Sequence, residues 1–255
     1  MQLKQEIRVL PVRVLRDVRP GDKLYSLILR SLEHNKIILE DGDIVVIAQK
    51  IVSKAEGQIV RLSSLIPSSF AIQLAKQYKK DPRTTELVLQ QSKNIVKIFN
   101  GVIISETKHG FICANAGVDQ SNIMNSEETA LLLPDDPDAS AKKIMLMLKE
   151  KTNREIAVII TDSFGRPFRN GQTNVAIGIA GINPIMSYVG KKDMYGKKLK
   201  VTEIAVVDEL ASTAELVMGK SKGIPIAVIR GFDFIRSENA LINGLIRERE
   251  KDLFR

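Results

Sequence analysis

The sequence has no tryptophan, one cysteine (Cys113) and only two histidines (His34 and His109) among 255 residues. A single cysteine excludes an intrachain disulfide framework and a cysteine-rich zinc cluster. Two histidines so far apart argue against a histidine metal site, and His109 beside Gly110 is interpreted as a turn residue. Aromatic residues make up 5% of the chain, which argues against recognition of nucleic acid by stacking on its bases.

Two common nucleotide-binding signatures are also missing: G-x-x-x-x-G-K-[ST], and a G-x-G-x-x-G that follows a strand. Their absence argues against a P-loop or Rossmann enzyme. The most apolar stretch, residues 174–190, is interrupted by glycines, an asparagine and a proline, so it falls short of the ~20 apolar residues that cross a membrane. The N-terminal stretch MQLKQEIRVLPVRVLRD lacks the apolar core of a signal peptide. We therefore expect a cytoplasmic protein that does not bind membranes.

Positive charge is present in excess, and the net charge is +8. This charge favours anionic partners such as nucleic acid, a membrane surface, nucleotides or phosphorylated coenzymes. The densest basic stretch, KKDMYGKKLK at residues 191–200, is compatible with a solvated loop and with an anion contact. With 44% hydrophobic and 27% charged residues, the composition is that of a soluble globular protein.

Four segments are rich in β-branched side chains and have turn-forming residues at their ends. They are predicted as strands, at residues 43–48, 102–104, 156–160 and 224–229. Lys108-His109-Gly110 falls where a hairpin would turn. Helices are predicted after an N-cap at Asp136, from Asp208 towards Met218, and over residues 238–251.

These elements are mixed without a regular βαβ rhythm. The predicted fold class is therefore α+β, with a mixed or antiparallel sheet and packed helices. We expect one catalytic unit over residues 1–255, built as one piece or as two lobes.

Four clusters of glycine and polar residues follow predicted strands or hairpins, where loops on a rigid scaffold carry binding groups. In the first, GDIVVIAQKIVSKAEG at residues 42–57, Lys50 and Lys54 either hold phosphate oxygens or lie on the surface. The second, HGFICANAGVDQSN at residues 109–122, gathers oxygen-bearing side chains around Asp119. Such oxygens suit a hard cation such as Mg²⁺ or Mn²⁺, or form an Asx-rich turn.

The third cluster, AVIITDSFGRPFRNGQTN at residues 157–174, ends a predicted strand at Asp162. The strand would hold this carboxylate rigidly for a metal ion, and Arg166 and Arg169 supply forked donors for a carboxylate or phosphate. The fourth, ELVMGKSKGIP at residues 215–225, ends a helix at Gly219. Its lysines either close over a nucleotide or lie in a simple helix-capping loop.

Six segments carry these clusters and their surroundings: GDIVVIAQKIVSKAEG, HGFICANAGVDQSN, ITDSFGRPFRNGQTNVAIGIAG, DMYGKKL, DELASTAELVMGK and GIPIAVIRG. In this order they closely resemble the coenzyme F420-0:L-glutamate ligase family, the gamma-glutamyl ligases, over nearly the whole chain. The resemblance implies an amide-forming ligase. GTP would phosphorylate the terminal carboxylate of coenzyme F420-0, and the amine of L-glutamate would displace the phosphate, with further γ-linked glutamates as an extension. It also implies a homodimer.

By the same resemblance, the metal positions of the family match Asp119, Asp162 and Ser163, for two Mg²⁺ or Mn²⁺ ions with K⁺ as a further candidate. Asp119, Asp162 and Arg166 are the predicted catalytic residues, and Arg166 and Arg169 are hypothesised to bind a substrate carboxylate or phosphate. The nucleotide contacts of the family match Leu15, Arg16, Asp17, Val18, Gln49, Lys50, Lys54, Asn122, Met218, Gly219, Lys220, Ser221, Lys222, Gly223 and Ile224.

Two departures from the family pattern bear on these assignments. Relatives often read Pro-x-x-Gly-Leu-Pro near the N-terminus, whereas this chain has PVRVLRD at residues 11–17, so nucleotide contacts at residues 15–18 would use backbone amides. Some relatives carry an acidic residue that helps to hold a second metal where Lys220 stands here, which puts the second ion in question. Two alternatives come from other classes: a nucleic-acid-binding protein, indicated by the charge, and a metal-dependent phosphohydrolase that uses the same carboxylates.

Overall fold

The computed structural model describes residues 6–123 and 125–252; the part of the N-terminal stretch before Glu6 lies outside them. The strands are β1 (Arg8–Val12), β2 (Ile44–Ala48), β3 (Ile59–Arg61), β4 (Ser92–Phe99), β5 (Val102–Thr107), β6 (Ile112–Ala114), β7 (Thr129–Leu131), β8 (Ala157–Arg166), β9 (Arg169–Ala180), β10 (Met186–Ser187), β11 (Glu203–Ile204) and β12 (Ile226–Arg230). The α-helices are α1 (Leu24–His34), α2 (Gln49–Ala55), α3 (Ser69–Tyr78), α4 (Pro82–Gln91), α5 (Pro137–Thr152) and α6 (Val206–Met218).

A five-stranded sheet with the order β1–β12–β2–β8–β9 forms the centre of the fold. β2 and β8 run parallel, and the other neighbouring strands run antiparallel. Smaller sheets pair β3 with β7, β10 with β11, and β4 with β5 and β6. A mixed sheet with packed helices confirms the predicted α+β class.

The central strands are apolar on both faces. Residues 44–47 of β2, 157–160 of β8 and 226–229 of β12 have no exposed surface. Because alternate residues of a strand face opposite sides of the sheet, both sides must be covered, and α1, α5 and α6 pack their apolar residues into this core. Two smaller apolar clusters lie outside it, in the layer formed by β3–β7, α3, α4 and β4–β5–β6.

The ends of α5 and α6 follow local sequence signals. The carboxylate of Asp136 accepts a hydrogen bond from the amide of Ala139 at 2.9 Å, and α5 begins with Pro137 as predicted. α6 starts two residues before the predicted Asp208 and ends at Met218, and the cap residue Gly219 adopts a positive φ of 57°. β9 passes so close to α5 that a Cβ on Gly178 would lie 2.5 Å from the backbone carbonyl of Pro137.

The helix predicted over residues 238–251 is wrong. The structure has two short 3₁₀ turns there, Ile242–Leu245 and Arg249–Lys251. An Asn-Gly pair in the middle of the stretch disfavours a helix by about 1 kcal/mol at the glycine alone. In addition, the amide of Ile242 donates a hydrogen bond at 3.0 Å to the carboxylate of Asp138 on α5, which replaces a helical bond.

The predicted end of a strand at Asp162 and Ser163 is also wrong. β8 continues to Arg166 and pairs with β9 as an antiparallel ribbon, with a shift in register between Ile160 and Thr161. Pairing with β9 supplies hydrogen bonds beyond the end of β2, whose last partner is Thr161. Part of the loop predicted in the third cluster is therefore strand.

The other predicted strands and the hairpin turn at residues 108–110 are confirmed within one to three residues at most ends. In the described part of the chain, no helix is both long and apolar enough to cross a bilayer.

Candidate active site

A cleft of about 870 Å³ opens at the carboxyl ends of the parallel strands β2 and β8. Its walls come from residues 14 and 16–18, the start of α2, most of the stretch between Cys113 and Asn122, the outer half of the β8–β9 ribbon, and the loop after α6. Each of the four polar clusters found in the sequence contributes to these walls. The fold therefore brings together groups that are more than 150 residues apart in the chain.

Asp119 and Lys50 form an ion pair in this cleft. The Nζ atom of Lys50 lies 2.7 Å from Oδ2 of Asp119 and 3.2 Å from the carbonyl oxygen of Ser121. The amide of Ser121 donates to the other carboxylate oxygen at 2.7 Å. Burial raises the pKa of Asp119, but these two donors outweigh it and hold the pKa below its usual value. Asp119 is therefore ionised at neutral pH.

Asp162 has the opposite character. Burial, with a smaller contribution from the charge of Asp119, raises the pKa of Asp162 to about 6. A hydrogen bond from the amide of Ser163 and the charges of Lys50 and Lys220 lower it only in part. Two carboxylates with different protonation equilibria thus share one cleft, an arrangement found in catalytic sites.

Ser163 takes part in a polar network on the other side of the ribbon. Its hydroxyl donates to Oδ1 of Asn174 at 2.7 Å, and the Nζ atom of Lys220 donates to the same oxygen at 2.9 Å and to the Ser163 hydroxyl. Asn174 is 5% exposed. Since successive side chains of a strand point to opposite faces, Asp162 and Ser163 direct their groups to opposite sides of the ribbon.

The predicted contacts near the N-terminus form a further wall. Lys54 is buried on α2, and its Nζ atom lies 2.7 Å from the carboxylate of Asp17. Arg16 makes a bidentate ion pair with Asp22, at 2.7 and 2.8 Å, and donates to the carbonyl of Asp17 at 2.9 Å. These contacts fix the segment beside the cleft, and Val18 also lines it.

The remaining residues predicted to contact the nucleotide differ in whether their side chains are already hydrogen-bonded within the protein. The side-chain amide of Gln49 is buried and donates to Ser53 at 2.7 Å and to the carbonyl of Leu132 at 3.0 Å. Asn122 lines the cleft in an exposed turn with a φ of 57°. The cleft is also lined by residues of the loop after α6, namely Met218, Gly219, Lys220, Ser221, Gly223 and Ile224.

Several predicted residues do not line the cleft. Arg166 and Arg169 pair with each other at the exposed end of the β8–β9 ribbon, where Arg166 donates to the carbonyl of Asn170 at 2.8 Å. Leu15 is about half exposed beside the cleft wall, and Lys222 packs over Gly219 after the helix end. The basic stretch at residues 191–200 lies in the exposed connection between β10 and β11.

Cys113, Asn174 and Glu215 also line the cleft, although the sequence did not indicate them as site residues. Asn174 meets Ser163 through the register of β8 and β9, a relation between distant segments that no local pattern gives. Cys113 is buried beside the carboxylates, and burial, with the charge of Asp162, raises the pKa of its thiol to about 12.

The donor set fits one divalent ion better than two. Within residues 6–123 and 125–252, no group of three or more His, Cys, Asp or Glu side chains converges, but Mg²⁺ and Mn²⁺ need only one or two protein carboxylates when phosphates and water supply the rest. Asp119 and Asp162 meet that requirement. The hydroxyl of Ser163 is already bonded to the ammonium of Lys220, so Ser163 would have to give up that bond to hold a second ion.

A profile of the family F420-0:gamma-glutamyl ligase matches residues 14–231. The chain belongs to this family of ligases. It is 47% identical over 241 residues to the coenzyme F420:L-glutamate ligase of Methanothermobacter thermautotrophicus, which covers 93% of this chain and 94% of that protein. A ligase of the same name from Methanopyrus kandleri is 43% identical over 253 residues, with 98% of both chains covered.

The match to the gamma-glutamyl ligase family includes all the polar clusters that line the cleft. The protein from Methanocaldococcus jannaschii, also a coenzyme F420:L-glutamate ligase, is 47% identical over 218 residues and covers 85% of this chain. The chain is therefore an enzyme of the ligase class, and the cleft is the candidate active site.

Proposed function

We propose that this protein is a GTP-dependent ligase that joins L-glutamate to the terminal carboxylate of coenzyme F420-0 through an acyl phosphate. The names of the relatives support the pair of substrates that are joined. The observation that carries the proposal is a single cleft in which two of the lining carboxylates, Asp119 and Asp162, lie together with the lysines Lys50, Lys54 and Lys220. This arrangement of charges suits a nucleoside triphosphate bound together with a divalent ion.

A free carboxylate is a poor acyl donor, so the amide bond requires activation. In the first step, a carboxylate oxygen of the coenzyme attacks the γ-phosphorus of GTP, and the bond to the β-phosphate oxygen breaks, so that GDP leaves with the electron pair. In the second step, the amine nitrogen attacks the acyl carbon, the carbon–oxygen bond to phosphate breaks, and the nitrogen loses its proton. The products are the amide, GDP and phosphate.

The residues of the cleft have distinct parts in this scheme. Asp119 and Asp162 would hold Mg²⁺ or Mn²⁺, which would neutralise phosphate charge during transfer. Lys50, which is paired with Asp119, would approach the phosphate oxygens that gain charge. Lys54, buried against Asp17, would add positive charge at the wall formed by residues 14–18.

The loop that begins at Met218 is proposed to bind the nucleotide with its backbone. Gly219 and Gly223 have positive φ angles of 57° and 67°, a conformation that L-residues rarely adopt. A glycine-rich loop lets backbone amides approach phosphate oxygens closely, and Asn122, which also lines the cleft, would add a hydrogen bond.

Three further parts of the proposal rest on the resemblance to relatives: the addition of further γ-linked glutamates, K⁺ as an additional ion, and a homodimer. The first follows chemically, because each product again ends in a carboxylate that can be activated in the same way.

The test is mass spectrometry of coenzyme F420-0 after incubation with the protein, L-glutamate, GTP and a manganese or magnesium salt, with each component omitted in turn. A product heavier by one or more glutamyl groups, formed only in the full mixture, is expected. Asp119→Asn should abolish it, whereas Asp233→Asn, an exposed aspartate away from the cleft, should leave it unchanged.

No added mass would refute the proposal. Phosphate release from GTP without either acceptor would support a phosphohydrolase instead. Arg166→Ala separately tests the substrate role predicted for that arginine: unchanged KM values for all substrates would exclude it.

A further inference from the structure

A second cavity, of about 550 Å³, lies between β9 and α6 next to the main cleft. Ser163, Asn174, Glu215 and Lys220 line both spaces, so the two are neighbours. Its volume lies within the range of small-molecule sites, ~300–1,000 Å³.

The wall of this cavity is held in place by bonds within the protein. The hydroxyls of Thr173 and Ser212 lie 2.8 Å apart, and Ser212 donates to the carbonyl of Asn174 at 2.7 Å. The oxygen of the Asn174 side chain is held by Ser163 and Lys220. Its amide nitrogen has no hydrogen-bond partner among the residues that the structure describes, and it is available to a ligand.

The cavity carries one basic side chain, Lys220, and one acidic side chain, Glu215, which are not hydrogen-bonded to each other. The Nζ atom of Lys220 lies 3.8 Å from the carboxylate of Glu215, too far for a strong hydrogen bond. Lys220 is instead fixed by Asn174 and Ser163, and the carboxylate of Glu215 accepts no hydrogen bond from the described part of the chain. The side chain of Glu215 is 30% exposed, so a ligand can reach it.

An acidic and a basic group side by side select the class of ligand. A phosphate or a second nucleotide would meet the negative charge of Glu215. A deazaflavin ring would need apolar or aromatic walls, but the only large apolar side chain among the lining residues is Leu216, which is 76% exposed. An amino acid carries both an ammonium and a carboxylate, and it complements both groups.

The position of the cavity also fits an acceptor. Asp162 faces the side of the ribbon with Asp119 and Lys50, where the donor would be activated, whereas Ser163 faces Asn174 and Lys220. Because Ser163, Asn174, Glu215 and Lys220 line both spaces, a molecule in the cavity would lie directly beside one bound in the main cleft.

We propose that the cavity between β9 and α6 binds the amino-acid acceptor, with Glu215 holding its ammonium group and Lys220 with the Asn174 amide holding a carboxylate. This inference rests on the proposed ligase function. Glu215 is a substrate-binding residue at the surface where the two cavities meet, and it orients the amine toward the acyl carbon.

The main test is Glu215→Gln, which keeps the shape and removes the charge. The KM for L-glutamate should rise by about tenfold or more, as expected when an ammonium loses a charged acceptor, while the KM values for GTP and coenzyme F420-0 change by less than about twofold. Glu209→Gln, on an exposed position of the same helix, is the matched control and should change none of these constants. An unchanged KM for L-glutamate, or an equal rise for all substrates, would overturn the inference.

A second measurement uses glutarate, which has both carboxylates of L-glutamate but no ammonium. Its inhibition constant against L-glutamate should change by less than about twofold in Glu215→Gln, because the lost contact involves only the ammonium. A loss of glutarate binding equal to the loss for L-glutamate would show a general collapse of the cavity and contradict the assignment.

Binding of L-glutamate can be measured separately from the ligase reaction. Isothermal titration of L-glutamate into the protein with GDP and manganese should show binding to the wild type and about tenfold weaker binding to Glu215→Gln. Wild-type protein that binds L-glutamate but forms no amide would contradict the proposed function and leave the cavity assignment supported. Amide formation with equal binding to both proteins would contradict the cavity assignment alone.

Discussion

Replacement of Asp162 by asparagine is expected to stabilise the metal-free protein, even though it removes a predicted metal ligand. Burial raises the pKa of Asp162 from its usual 3.8 to about 6, and the charge of Asp119 adds to this effect. At about 1.4 kcal/mol for each pKa unit, the folded state is destabilised by at most ~3 kcal/mol at neutral pH. Asp162 is partly exposed to the cleft, so water reduces this figure to about 1–2 kcal/mol.

The sign of the pH dependence follows from the raised pKa. The folded state binds this proton more tightly than the unfolded state, so the contribution of Asp162 to stability is fully present below about pH 4 and is lost as the pH rises through about 6. Asparagine does not titrate. The difference in stability between variant and wild type should therefore be smallest near pH 4 and largest above about pH 7.

Thermal unfolding in the presence of a chelator measures this difference. For a protein of this size, about 1–2 kcal/mol corresponds to a rise in Tm of roughly 2–8 °C. Manganese should raise the Tm of the wild type and have little effect on the variant, since a ligand that binds only the folded state stabilises it. A variant that is less stable than the wild type near pH 8, or a difference that does not change with pH, would refute the reasoning.

Three further predictions concern stability and reactivity. Cys113, whose thiol has a pKa raised to about 12 by burial and by the charge of Asp162, should react with a disulfide reagent near pH 8 only after denaturation; rapid reaction of the native protein would contradict its burial. Gly178→Ala should lower the free energy of unfolding in urea by about 3 kcal/mol or more, because its Cβ would meet the backbone of the first residue of α5 at 2.5 Å. Gly165→Ala, where a Cβ meets nothing within 4 Å, should change it by under about 1 kcal/mol. Arg230→Met should cost about 3–5 kcal/mol in the same assay, because it leaves the carboxylate of Asp43, which is 1% exposed, without its bidentate partner; a neutral result would show that water replaces the guanidinium.

Local features of the fold could be predicted because their causes are local. A run of β-branched residues gave β2, and Asp136 with Pro137 marked the start of α5. The failures came from distant contacts. The amide of Ile242 bonds to Asp138, more than 100 residues away, which no periodicity in residues 238–251 reveals. Likewise, β8 is longer than its apolar run because β9 pairs with it.

The candidate site shows the same division. Asp119, Asp162 and Lys50 stand in polar clusters that follow strands, so the sequence indicated them before the structure brought them together. Asn174 was missed because its place beside Ser163 depends on the register of two strands. Arg166 was predicted to bind a substrate group from the loop after β8, but β8 continues further than predicted and places Arg166 at the exposed end of the ribbon.

If Asp119 holds the proposed divalent ion, that ion would have to exchange with the ammonium of Lys50. The carboxylate is already paired with this ammonium at 2.7 Å, so an incoming ion would displace a resident charge and would bind more weakly than to an unpaired carboxylate. The released ammonium would then be free to pair with a phosphate of the proposed nucleotide in the same cleft. Metal and nucleotide would each raise the affinity for the other by the same factor.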